Sequence, residues 1–308
     1  MYKKGNQSIW TGRKDPGSTR DVWHQVVKSV DLNSTIPNGY CLLGFCSDVG
    51  VKRNMGRVGA VEGPDVIRRA MVNFAVQFDE STKIFDAGDV VVSGDNLESA
   101  QNELARYVEQ MIKSSAFPIL LGGGHEISYA HGKGVLDAAS NRKVGIINFD
   151  PHFDLRKYPQ GAHSGSWARQ LFDEFENFYY LPVGINEAVN IAEMFEQMRD
   201  KGQSFITMDE LLNESQEDIL ARIQYFIDQV DVIGVTLDLD VFSVGVAPGV
   251  SAANPYGALP QHIKPLLKAI LKSNKVVSFD VAEMSPTYDD GRTAKLAGSF
   301  VYDVIVSK

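Results

Sequence analysis

Val144-Gly-Ile-Ile-Asn-Phe149 is an apolar run, and it ends in Asp150-Pro-His152-Phe-Asp154-Leu-Arg156. Six consecutive residues with one polar member read as a strand covered on both faces, as in a parallel sheet. Two aspartates and a histidine then follow at alternate positions. If the chain stays extended there, all three side chains point the same way. Unpaired carboxylates on one inward face repel and are costly to desolvate.

Similar runs recur on either side. Strands are expected over 40–46, 83–85, 118–121, 144–149, 179–183, 204–206, 232–238 and 275–281. Helical patterns lie between them over 64–74, 97–114, 127–139, 166–175, 189–199, 216–229, 260–272 and roughly 293–306. This alternation predicts an α/β fold, one mainly parallel sheet with helices on both sides. No repeat, low-complexity tract or linker interrupts it, so one domain is expected over 1–308, with 1–37 as an N-terminal extension. Ligands of such sheets bind at the carboxyl ends of the strands. Four polar clusters fall there: Gly122-Gly-Gly-His125-Glu126, Asp150–Asp154, Asp238-Leu-Asp240 and Asp280-Val-Ala-Glu283.

The 308 residues are 44% apolar and 22% charged, with a net charge of −9, which argues against a nucleic-acid partner and says little about a small-molecule substrate. No apolar stretch approaches the ~20 residues of a membrane span, and the lysine-containing N-terminus lacks the apolar segment of a signal peptide. Cys41 and Cys46 share one expected strand, about 16 Å apart at ~3.3 Å per residue. A disulfide requires Cα atoms within about 7 Å. Buried free thiols and a cytoplasmic location are expected.

His125, Asp150, His152, Asp154, Asp238 and Asp240 supply four carboxylates and two imidazoles. Four negative charges balance two divalent cations, and six side chains suffice for two ions if two aspartates bridge. Carboxylate-rich ligation suits Mn²⁺ better than a structural Zn²⁺ site. Two such ions sharing a hydroxide generate a nucleophile near neutral pH. Taken singly, Asp150 or Asp154 also reads as a cap or turn residue and His125 as a loop or core histidine. The glycine turn has a phosphate-binding reading, but it lacks the spacing and the Lys-Ser/Thr of a P-loop.

The motifs GGGHE, NFDPHFD and TLDLDVFSVGVAPG resemble the three signatures of the ureohydrolase (arginase/agmatinase) family, and the resemblance runs from about Tyr40 to the C-terminus. It implies a three-layer α/β/α fold with an eight-stranded sheet, and trimers or hexamers. It implies one manganese on His125, Asp150, Asp154 and Asp238, and another on His152, Asp150, Asp238 and Asp240. Gly161-Ala-His163-Ser-Gly165 is similar to the family loop carrying a proton-transfer histidine. Glu283 matches the glutamate that pairs with a cationic amidine or guanidine. By themselves these two read as a solvated loop histidine and a helix-capping acid. Pro151 departs from the family's usual alanine; it lacks an N–H and so changes the backbone hydrogen bonding, while its own side chain points away from the ligands.

Two further stretches, Ile9-Trp-Thr-Gly-Arg13-Lys-Asp-Pro and Asp48-Val-Gly-Val-Lys-Arg53-Asn54-Met-Gly-Arg57-Val-Gly, resemble the formimidoylglutamase subfamily. So does the absence of Asp-Pro after Asp240. The resemblance implies hydrolysis of N-formimino-L-glutamate to glutamate and formamide, in histidine degradation, with Asp154 and His163 moving protons. That substrate carries two carboxylates, so arginines are expected at the rim: Arg156 beside the metal motif, then Arg57 and Arg292. All three also read as ordinary surface arginines. A guanidino hydrolase such as agmatinase is the alternative, and a non-catalytic metal-binding relative is the reading from another class.

Overall fold

Residues 1–308, all described by the computed structural model, begin with two short strands, β1 (Tyr2–Lys3) and β2 (Lys28–Ser29). Then come β3 (Tyr40–Cys46), α1 (Val49–Arg53), α2 (Gly63–Met71), β4 (Ile84–Val91), α3 (Leu97–Lys113), β5 (Phe117–Gly122) and α4 (Ile127–Ala139). The second half holds β6 (Val144–Phe149), α5 (Trp167–Glu174), β7 (Phe178–Ile185), α6 (Ala192–Asp200), β8 (Ile206–Thr207) and α7 (Met208–Asn213). It closes with α8 (Gln216–Gln229), β9 (Val232–Asp238), α9 (Pro260–Leu271), β10 (Val276–Ala282) and α10 (Arg292–Ser307).

Eight strands, in the order β4-β3-β5-β10-β9-β6-β7-β8, form one parallel sheet. The two-residue strands β1 and β2 both add to β4, β1 antiparallel and β2 parallel, so the N-terminal stretch 1–37 partly joins the sheet edge. The three-layer expectation holds. In β6, Val144 and Ile146 enter the core under α3, α4, α5 and α6, while Ile147 and Phe149 enter the core under α2, α8, α9 and α10. Both faces are covered, which is why the strand reads as continuously apolar.

One strand is longer than its sequence suggests. The pattern at 83–85 marks only the start of β4, because Asp86, Gly88 and Asp89 disguise the rest. Asp86 is fully buried; it accepts from Trp10 Nε1 at 2.7 Å and pairs with the buried Arg68 at 3.1 Å. Gly88 has φ +80°, and a Cβ there would lie 2.0 Å from the Lys3 carbonyl oxygen of the adjacent N-terminal strand. The polar residues of β4 are thus satisfied by partners distant in sequence.

Both cysteines are free. Cys41 is buried and Cys46 only half-buried, and burial pushes both thiols up to about 12. No helix is long and apolar enough to cross a membrane.

The central order β5-β10-β9-β6 decides the site. All four strands run parallel, so their carboxyl ends share one edge of the sheet. Asp238 lies opposite Ala282, and Phe149 opposite Leu237. The four polar clusters, scattered over 160 positions of sequence, therefore emerge side by side.

Candidate active site

The glycine turn after β5 is a close-approach device. Gly123 N donates to Phe45 O at 3.0 Å, and Gly124 N to Ser47 O at 2.9 Å. A Cβ on Gly123 would sit 2.1 Å from Ser47 O. The next amide, His125 N, donates to Glu283 Oε1 at 2.8 Å. These amides are all engaged, so the turn is no phosphate cradle.

His125 Nδ1 lies 3.1 Å from Asp150 Oδ2, 2.9 Å from Asp154 Oδ2 and 3.0 Å from Asp238 Oδ2. It is buried yet makes no directional hydrogen bond to any of them. The four atoms converge on a common space rather than pairing. A second group forms on the other oxygen of Asp150, with His152 Nδ1 3.2 Å from Asp150 Oδ1 and 3.5 Å from Asp240 Oδ2. Asp150 thus faces both groups, one oxygen to each. Asp238 reaches the first group, and its Oδ1 accepts from Asp240 N at 2.8 Å.

The path by which these side chains converge differs from the expected one. β6 ends at Phe149 and the backbone bends through Pro151 and His152, so period two does not continue. Asp154 adopts φ +52°, a left-handed conformation that aspartate tolerates better than most residues. Asp240 sits in a 3₁₀ turn, Leu239–Val241, directly after β9. Turns rather than alternation aim Asp154 and Asp240. Trp167 Nε1 then holds Asp154 Oδ2 at 2.6 Å, and Asn148 Nδ2 holds Asp150 Oδ2 at 3.0 Å.

No lysine or arginine is paired with these carboxylates, so burial and mutual repulsion set the direction of their shifts. Burial pushes Asp240 and Glu283 well above the ordinary carboxylate range, and the nearby Asp238 pushes the same way. Burial, then Asp150, raises Asp154. Burial opposes ionisation of Asp150 too, but the close imidazoles of His125 and His152 hold its carboxyl below the usual range. Burial alone would lower His125; Asp238, Asp150 and Asp154 outweigh it and raise it well above an ordinary imidazole. The cluster is short of positive charge. Divalent cations occupying the space between these atoms would supply it.

Glu283 lies at the same edge, 4% exposed, at φ +66°. Its Oε1 is held by His125 N, and its Oε2 has no partner. With Asp154, Asp238, Asp240, His125 and His152 it lines a cavity of about 180 Å³. That chamber adjoins a larger one of about 550 Å³, and both are lined by Asn54, Arg156, Val189 and Met194. His163 lines the larger chamber. Its Nε2 lies 3.2 Å from Lys157 O; a carbonyl only accepts, so Nε2 carries the hydrogen. Its Nδ1 has no partner, and burial lowers its pKa.

The three arginines separate. Arg156 lines both chambers, and its guanidinium has no acidic partner. Arg57 lines neither: its guanidinium donates to Ser251 O and Val250 O at 2.8 and 2.7 Å and stacks 4.1 Å over the Tyr288 ring. Arg292 also lines neither, being bound to both oxygens of Asp290 and to Gly245 O at 2.6 Å. Both are engaged in holding loops, outside the lining of either chamber.

Sequence reasoning passed over Asn54, Trp167 and Thr236. Asn54 donates to Ser164 Oγ, in the His163 loop, at 3.1 Å. Thr236 lies 3.1 Å from His125 Nε2. A signal existed for Thr236, a lone polar residue in an apolar strand, two positions before Asp238. None existed for Trp167, which reads as core.

A profile of the arginase family matches residues 38–307. A formimidoylglutamase of Geobacillus sp. (strain WCH70) is 37% identical over 313 residues, covering 99% of this chain and 96% of that one. A formimidoylglutamase of Clostridium tetani is also 37% identical, over 99% of this chain and 95% of the relative. Among solved structures, Trypanosoma cruzi formiminoglutamase with Mn²⁺ superposes with a TM-score of 0.80 at 25% identity, covering 88% of this chain and 93% of that chain. Bacillus subtilis formimidoylglutamase shares the fold with a TM-score of 0.85 at 21% identity, over 96% and 94% of the two chains.

Proposed function

Because the chain belongs to the arginase family, we propose that it is a formimidoylglutamase, hydrolysing N-formimino-L-glutamate to L-glutamate and formamide in histidine degradation. One observation carries the reading. A small carboxylate-lined chamber opens into a larger one past the unpaired guanidinium of Arg156. That arrangement suits a substrate with a cationic amidine at one end and carboxylates at the other.

The cofactor is two Mn²⁺. His125, Asp150, Asp154 and Asp238 would hold one ion, and His152, Asp150, Asp238 and Asp240 the other. The converging, unpaired His125 Nδ1 and the two-sided Asp150 support the assignment. When bound, the ions supply Lewis-acid charge and a water acidic enough to act as nucleophile near neutral pH.

The protein's own groups do the rest. Glu283 offers its free Oε2 to the amidine N–H groups, and its other oxygen is pinned by His125 N, so orientation is set before substrate arrives. Asp154 takes a proton from the attacking water, with Trp167 holding the carboxylate in place. His163 passes a proton to the departing glutamate nitrogen. Its neutral form leaves the Nδ1 lone pair without a partner, and protonation there makes an acid. Arg156 donates charge-assisted hydrogen bonds to a substrate carboxylate. The enzyme acts in the cytoplasm as a trimer or hexamer, the state implied by the family resemblance.

The test is a substrate panel on Mn²⁺-loaded protein, read by formamide, urea and ammonia release. Formiminoglutamate should give formamide and glutamate. Faster turnover of agmatine or arginine would overturn the substrate assignment.

A further inference from the structure

Asp280 is fully buried, and its carboxylate hydrogen-bonds none of the proposed metal ligands. It receives three donors. Thr236 Oγ–H donates to Oδ1 at 2.6 Å, Ser128 Oγ–H reaches Oδ2 at 3.1 Å, and His131 Nδ1–H donates to the same Oδ2. His131 is held in turn by Ser278 Oγ at 2.6 Å.

This network has a direction. A threonine hydroxyl has one hydrogen and two lone pairs. The short contact to Asp280 takes the hydrogen, because a carboxylate only accepts. Toward His125 Nε2, 3.1 Å away, Thr236 is then left as an acceptor. His125 must carry its hydrogen on Nε2. In the neutral imidazole that a cation requires, the Nδ1 lone pair is then the one turned toward Asp150, Asp154 and Asp238. The reverse tautomer would point an N–H at the place a cation must occupy.

We propose that Thr236 and Asp280 are positioning residues that lock His125 in its Nε2–H form and thereby set the affinity of the metal position shared by Asp150, Asp154 and Asp238. The inference rests on the binuclear reading above. The relay acts through His125 alone; His152 has no contact with it. Its effect falls on one ion of the two.

Metal binding without substrate tests it, by titrating the metal-free protein with Mn²⁺ and following free and exchange-coupled Mn²⁺ by EPR. Thr236→Val removes the acceptor at nearly constant volume. It should weaken one Mn²⁺ by about 10–100-fold, the usual cost of losing a hydrogen-bond partner behind a ligand. The second ion should bind as before, so the coupled signal gives way to a mononuclear one at limiting Mn²⁺. Thr236→Ser, which restores the hydroxyl, should recover both ions to within about threefold. Asp280→Asn should weaken the same ion, and adding Thr236→Val to it should cost little more, since the two act in one chain. Melting temperatures of the metal-free variants separate this from general damage, which would weaken both ions and escape rescue by serine. A folded Thr236→Val protein with both ions at wild-type affinity overturns the proposal alone. A wild-type protein that binds no Mn²⁺ overturns the binuclear reading with it.

Discussion

Glu283→Gln separates activity from stability. The substitution preserves volume, and the amide oxygen can still accept from His125 N, so the 2.8 Å contact survives. What changes is the free Oε2. An acceptor bearing charge becomes an N–H₂ donor facing the donors of the amidine. A hydrogen bond to a charged group contributes about 1.5–3 kcal/mol. At roughly 1.4 kcal/mol per factor of ten, kcat/KM for formiminoglutamate should fall at least 10–150-fold. Manganese content should stay at two per chain, because Glu283 is assigned to neither ion. Stability moves the other way. Burial, reinforced by Asp238, holds the folded-state pKa of Glu283 well above that of an unfolded glutamate. A raised carboxyl pKa means that the stability present below the unfolded value of about 4.3 is lost as pH rises toward the folded value. Glutamine carries no such cost. Metal-free Glu283→Gln should melt above wild type at pH 7–8, and the gap should close toward pH 4. Formamide release, metal analysis and calorimetry at the two pH values measure the set. Wild-type kcat/KM in a metal-replete variant, or a lower melting temperature at pH 8, would refute the reasoning.

Three other perturbations probe neighbouring parts of the site. Arg156→Ala should raise KM for formiminoglutamate about tenfold to a hundredfold by removing a charge-assisted hydrogen bond of ~1.5–3 kcal/mol, with metal content unchanged. Arg292→Ala, which frees a loop but no chamber wall, should leave KM near wild type. His163→Ala should lower kcat by about 10²–10⁴-fold if the imidazole carries the proton; wild-type turnover would remove it from the reaction. Asp238→Ala should lose at least one Mn²⁺ by metal analysis, and full occupancy of both positions would show that this carboxylate bridges nothing.

Much of the architecture follows from local pattern. Residues 127–139 and 216–229 read as helices and are helices with those bounds, and 40–46, 144–149 and 232–238 are strands as expected. Continuous apolar runs and amphipathic segments reflect burial, and burial leaves its mark on every residue in turn. β4 escaped because its interior is polar. Only Arg68, Trp10 and the N-terminal strand make Asp86 and Gly88 tolerable there, and those partners lie up to 85 positions away in the chain.

The sequence by itself determined which chemistry gathers at the sheet edge. Carboxylates and imidazoles directly after apolar strands have little reason to be there except to meet one another, and parallel strands deliver them to the same side. The tertiary structure decided how they meet. Strand order set β5, β10, β9 and β6 as neighbours, a left-handed turn aimed Asp154, and the split of Asp150 between two groups appeared only in three dimensions. It also decided which arginine is free. Arg57, Arg156 and Arg292 look alike in sequence, because a guanidinium's partners are set by loops that pack against it from elsewhere in the chain. Val250, Ser251 and Gly245 engage two of them and leave Arg156 facing the chambers.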